Sequence, residues 1–144
     1  MANADDVLNE NLIRKVVFGF YDRVRADPLL APVFDSAIAA DQWPHHLERM
    51  CDFWSSILLR TGRFQGRPMQ KHLALPGLSD AHFHRWLVLF RQTVRELCSP
   101  PVAERFLERA LMIAQSFRLS LAMQAGRSTL DVAPIVEADL TPTV

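Results

Sequence analysis

The chain has 144 residues, which fits one domain, and 49% of them are hydrophobic, so a sizeable core can be buried. Sixteen basic residues balance sixteen acidic ones. That balance excludes a global basic field for nucleic acid or anionic lipid, and the acidic excess of a solvating disordered chain. The longest fully apolar runs, such as Trp86 to Phe90 and Ala110 to Ala114, are five residues. A transmembrane helix needs about 20. The first residues carry acids and no basic stretch before an apolar run, unlike a signal peptide. Cys51 and Cys98 are too few for a disulfide scaffold and suit a reducing compartment. The expectation is a cytoplasmic protein with no nucleic-acid and no membrane partner.

The first helix is expected from about Asn9 to Ala26. Ile13, Val16, Val17, Phe20 and Val24 recur at spacings of three and four, one buried stripe. Phe18 and Tyr21 form a second stripe beside it. Pro28 ends the helix by biasing Asp27 out of the α region. Residues 28–40 read as a connector, with a short 3₁₀ or α turn near Ala31 to Phe34. A second long helix is expected to open at Asp41 as N-cap, with Pro44 in its first turn, and to run to about Arg60. His46, Met50, Phe53 and Trp54 share its apolar face. Residues 61–68 hold two glycines and a proline and read as a loop. A short helix around Met69 to Leu75 carries His72, and Pro76 with Gly77 stops it. Ser79 or Asp80 caps the next helix, to about Cys98, with Phe83, Trp86, Leu87, Phe90, Val94 and Leu97 on its core stripe. Ser99-Pro100-Pro101 starts the last long helix, and Gly126 stops it. No alternating strand pattern occurs, so the class is all-α, a bundle or globin-like fold. The tail, 127–144, is expected to be extended or partly disordered.

The aromatic balance is odd: nine Phe and three Trp against one Tyr. A single phenol among so many apolar rings is a candidate polar group in an apolar pocket. The common zinc, nucleotide and serine-hydrolase signatures are absent. His82 and His84, two apart on a helix, point about 200° from each other and cannot chelate one metal. They read as solvated or capping histidines. Taken singly, His46 is also readable as a boundary histidine, His72 as a partly buried structural one, and Trp86 as a core ring. Tyr21 and Trp86 both carry donors that need acceptors when buried, and with His46 they come from three helices.

Four stretches in order are more specific than any one of these residues: FGFYDRVRADPLLAPVF (18–34), HLERMCDFWSSILLRTG (46–62), GRPMQKHLALPGLS (66–79) and HFHRWLVLFRQTV (82–94). Together they resemble the truncated haemoglobins, most of all group III, over roughly residues 8–125. The resemblance implies a two-over-two helical sandwich in residues 1–126, followed by a C-terminal extension, 127–144. It implies a b-type haem, held non-covalently. C-x-x-C-H, the usual covalent attachment sequence, is missing. By the same resemblance His72 matches the proximal iron ligand. Tyr21, His46 and Trp86 match the distal ligand-binding positions. Phe34, Met50, Phe53 and Trp54 match apolar positions facing the porphyrin. Arg67 and Lys71 are candidates to pair with the propionates, by charge and proximity. Phe64 stands where relatives often carry Tyr.

The function this implies is binding of a diatomic gas (O₂, NO or CO) at a His-ligated haem iron. Two distal donors favour slow release, and so ligand capture, nitric oxide detoxification or other redox chemistry over oxygen transport. A dioxygenase role requires a reductase partner; a peroxidase-like role requires the distal pair to cleave an O–O bond. The alternative is a gas or redox sensor module acting through a protein partner. A third reading is a cofactor-free helical interaction domain.

Overall fold

The computed structural model describes residues 7–66 and 78–140. Asn9 starts the first helix: its Oδ1 accepts a 2.9 Å hydrogen bond from the Leu12 N–H, satisfying one of the free donors at a helix start. Helix α1 (Glu10–Ala26) buries Leu12, Ile13, Val16, Val17, Phe20, Tyr21 and Val24. This is the expected stripe, with Tyr21 joining it.

Asp27 makes the turn out of α1. Its backbone is extended, as the following proline requires. Oδ2 accepts hydrogen bonds from the Leu29 and Leu30 N–H groups, both at 3.1 Å. Oδ1 accepts one from Arg85 Nε at 2.7 Å. The residue is only 5% exposed. Burial, the largest single influence, pushes its carboxyl pKa up. The hydrogen bonds from Arg85 and the Leu30 and Leu29 N–H groups, with the Arg85 charge, outweigh it and hold the pKa below the usual aspartate range. The turn leads into α2 (Ala31–Ala37), longer than the single turn the sequence suggests.

Ala40–Gln42 form a 3₁₀ turn, and α3 (Trp43–Leu59) begins after it. The sequence points to Asp41 as the N-cap. Instead Asp41 sits inside the turn, where the Gln42 N–H already pairs with the Ala39 carbonyl at 2.8 Å. Pro44 occupies the first turn of α3, as expected. Residues 61–66 are irregular. Fully buried Ser55 fastens this stretch to the start of α1: its Oγ donates to Glu10 Oε2 at 2.8 Å. Its one proton is thus used, so Thr61 Oγ1 donates in the 2.7 Å contact between the two hydroxyls. The short helix expected around Met69 to Leu75 lies outside the described residues.

Ser79 caps α4 (Asp80–Leu97) and exchanges hydrogen bonds with His82. Ser99 precedes α5 (Pro100–Gln124), whose first two residues are prolines. At its end Gly126 takes φ +73, Arg127 N–H bonds the Ala122 carbonyl, and Gly126 N–H bonds that of Met123. This is a Schellman ending, which needs a residue at ease in the left-handed region. Helix α1 packs on α3 and α4, α4 on α5, and α2 on α1. The helices therefore form two pairs in two layers. Val16, Phe20, Val24, Leu87, Phe90, Val94, Phe106 and Ala110, all at most 2% exposed, fill the space between them. No helix among the described residues is long and apolar enough to cross a membrane.

The described part of the tail departs from a loose extension. Thr129–Asp131 and Glu137–Leu140 form 3₁₀ turns, and Leu140 is 2% exposed. Arg118, itself buried, donates to the Ala133 carbonyl at 2.6 Å. Gln115 donates to the Val132 carbonyl at 3.1 Å, Arg91 and Arg95 both bond Glu137, and His84 Nε2 lies 2.7 Å from the Asp139 carbonyl. Composition suggests a loose tail, but these anchors come from α4 and α5.

Two outcomes follow from this packing. Asp27→Ala should lower stability by about 2–3 kcal/mol, the scale for hydrogen bonds to a buried charge. Because the folded pKa is depressed, this stabilisation is full above the unfolded value of about 3.9 and is lost as pH falls through the folded value. Urea unfolding of Asp27→Asn across that range should therefore show a weaker acid dependence than the parent chain. Leu140→Ala should cost about 2–3 kcal/mol in the same assay; no change would mean the tail is not part of the core.

Candidate functional site

Residues from α1 to α5 line a cavity that opens to solvent. Its walls are Tyr21 from α1; Leu30, Val33 and Phe34 from the turn and α2; and Met50, Phe53 and Trp54 from α3. Leu78, His82, Phe83 and Trp86 come from the start of α4, and Ile113, Ala114 and Phe117 from α5. The lining is apolar except for the Tyr21 hydroxyl, the Trp86 and Trp54 indole N–H groups and the His82 imidazole. An apolar, largely aromatic lining with a few polar groups suits an aromatic group better than a charged metabolite. Among the described residues, no three His, Cys, Asp or Glu gather as a metal site. Neither Cys51 nor Cys98 lines the cavity. Burial pushes the Cys51 thiol up to about 11.

The walls are held by ring packing. Phe90 lies parallel to Trp54 (centroids 5.2 Å apart, planes 13° apart) and to Trp86 (5.7 Å, 6°). Phe20 meets both Trp86 and Phe90 edge-on, at 5.4 and 5.1 Å. The tryptophans are thereby fixed from behind. Tyr21 is fixed by edge contacts with Phe20 at 4.9 Å and Phe34 at 6.0 Å. Burial alone raises its pKa well above the ordinary phenol range, so its hydroxyl is a neutral donor.

Of the adjacent histidines, His46 meets the Tyr21 ring edge-on at 5.3 Å, while His45 is exposed. His46 stands behind Tyr21 and is not among the residues lining the cavity. Its Nε2 is shut off from solvent, and Trp43 packs against it at 5.4 Å. The structure thus brings Tyr21, Trp86, Phe34, Met50, Phe53 and Trp54 to one cavity and sets His46 one ring away. His72, Arg67 and Lys71 lie outside the described residues. In sequence His72 precedes the cavity-lining Leu78 by six residues.

Sequence reading misses the wall from α5. Ile113, Ala114 and Phe117 share the periodicity of core residues, and nothing in spacing separates a residue facing a cavity from one facing another helix. It also misses Arg49, whose guanidinium sits 5.1 Å over the Phe64 ring, itself 5.3 Å from Phe53. His82 reads as a capping residue from its position; it caps, and it also lines the cavity.

Removing the shared ring should loosen the wall. Phe90→Leu should keep the helical far-ultraviolet signal but weaken the near-ultraviolet circular dichroism of Trp54 and Trp86. Phe90→Ala should also cost about 3–5 kcal/mol of stability. An unaltered tryptophan band in both would show that other contacts fix these rings.

No family model matches the chain. It is 33% identical over 123 residues to the group 3 truncated hemoglobin ctb of Campylobacter jejuni, covering 84% of this chain and 97% of that protein. The crystal structure of the group III truncated hemoglobin from Campylobacter jejuni superposes with a TM-score of 0.78 at 33% identity. That match covers 82% of this chain and 94% of that one.

Proposed function

This chain belongs to the truncated haemoglobin family, in its group III, and on that premise we propose that the cavity holds a haem b non-covalently and binds a diatomic gas. The observation that carries the proposal is the apolar, aromatic-walled slot that opens beside Tyr21 and Trp86. Residues from α2, α3, α4 and α5 would cover the faces of the macrocycle. His72, which precedes Leu78 in sequence, would hold its iron. Both cysteines lie away from the slot, which favours non-covalent attachment. When bound, the haem supplies an iron centre that takes a small gas such as O₂, NO or CO and exchanges electrons.

The chain's own part is to shape what surrounds that gas. Tyr21 offers a neutral O–H donor, because burial keeps its proton on. Trp86 offers an N–H donor that cannot accept. Their supports, Phe20, Phe34 and Phe90, are rings that hold them in place and exclude water. In such surroundings a hydrogen bond to a charged acceptor contributes about 1.5–3 kcal/mol. Two such donors retain a polarised ligand, which suits capture or oxidation–reduction chemistry more than delivery. His46, behind Tyr21, orients the phenol ring. A reductase partner would supply electrons for nitric oxide dioxygenation. The chain's zero net charge suits an uncharged ligand.

Purified apoprotein titrated with haemin should develop a sharp Soret band at one equivalent, and His72→Ala should lose or shift it. Tyr21→Phe and Trp86→Leu should each speed oxygen dissociation by roughly ten-fold or more in stopped flow, given the energy of one charge-assisted bond. Unchanged rates in both variants would sink the proposed donor role.

A further inference from the structure

Among the described residues His82 is the one imidazole lining the cavity, and its geometry fixes its chemistry. Ser79 N–H points to His82 Nδ1 at 3.2 Å. A backbone N–H can only donate, so Nδ1 is the acceptor. The Ser79 hydroxyl, 2.9 Å from the same atom, then donates to it as well. In the neutral ring the proton therefore sits on Nε2. The ring is also restrained in position, because both Ser79 contacts belong to the cap that starts α4. The residue is half-buried, with one side in the cavity wall next to Leu78 and Phe83. It thus presents a donor of known tautomer at the edge of an apolar slot. Tyr21 and Trp86 also line that slot, and both are braced by neighbouring rings.

We propose that His82 is a cofactor-anchoring residue whose Nε2–H donates to a carboxylate of the bound macrocycle. The proposal rests on the haem reading above. A planar macrocycle with acidic side arms needs its faces in apolar surroundings and its carboxylates near donors and solvent. A half-buried imidazole at the edge of the wall meets that second need. The Ser79 cap serves it by holding Nδ1 as acceptor, which keeps Nε2 the donor. The role is positional: His82 would touch the periphery of the group, ten residues after the proposed iron ligand His72.

The test is haem loss. Holoprotein is mixed with excess apomyoglobin, and transfer is followed by the Soret change for the parent chain, His82→Leu and His82→Gln. His82→Leu should lose haem roughly ten-fold faster, and His82→Gln, which keeps an N–H donor, should lie between. The same measurement with haem dimethyl ester, which has no free carboxylates, should bring the parent chain and His82→Leu together. If His82→Leu loses both haem forms faster by the same factor, the residue acts only through the cap and packing, and the proposal is overturned. Equal loss rates with free haem overturn it too. If the parent chain gives no Soret band with haemin, the haem reading itself fails, and this inference with it.

Discussion

The structure depends on keeping a hole open inside a close-packed protein. Protein interiors pack as densely as organic crystals, and an unfilled cavity loses the dispersion contacts its lining would otherwise make. A cavity with soft walls would collapse. Phe90 is where that is resisted. Its ring is parallel to two tryptophans on different helices, Trp54 of α3 and Trp86 of α4, and is met edge-on by Phe20 of α1. Large planar rings have few torsions to adjust, so each braces the next. Aliphatic residues in the same places would repack inward.

The second brace is polar. The turn between α1 and α2 carries Leu30 and leads into Val33 and Phe34 of α2, three wall residues. That turn has backbone N–H groups with no helical partner, and the Asp27 carboxylate takes two of them. The same carboxylate takes Arg85 from α4, which sets the turn against the neighbour of Trp86. A buried carboxylate is costly unless its lone pairs are used. Here three donors use them, and the depressed pKa records that their effect outweighs burial. Arg85 is partly in water, so its charge contributes less than its hydrogen-bond direction does.

What was legible in the sequence follows from how local each feature is. The α1 stripe is a matter of spacing, and its stop at Asp27 is a matter of proline sterics; both were readable. Ser79, Pro100 and Gly126 mark ends for similarly local reasons. The first turn before Trp43 was misread because Asp41 has the chemistry of an N-cap, while a 3₁₀ turn had already used the backbone there. The tail's anchors were not legible, because Arg91, Arg95, Gln115 and Arg118 are not adjacent to it in sequence. Six of the site residues gathered at one cavity. Tyr21 drew notice as the lone phenol and Trp86 as a second buried donor, but their shared distal role came only from the family resemblance, since a core Tyr or Trp has the same local pattern. Ile113 and Phe117 remained hidden for the converse reason: a pocket wall with no polar group is indistinguishable from core.

The first turn of α4 joins these parts. Ser79 caps it, and the cap orients His82 in the cavity wall. Asp80, one residue on, accepts from Arg118 Nε at 2.9 Å, and Arg118 in turn holds the tail through the Ala133 carbonyl. Phe83, in the same turn, stacks on Phe117 of α5, the residue before Arg118. In this one turn Asp80 thus holds the tail's anchor, while His82 and Phe83 line the cavity. A displacement of the tail therefore acts on Arg118 first, then on the position of Asp80, and through the helix backbone on His82 and Phe83. The side of the cavity farthest in sequence from Tyr21 is held partly by residues outside the globin core. That is the physical reason an extension past Gly126 is packed rather than loose.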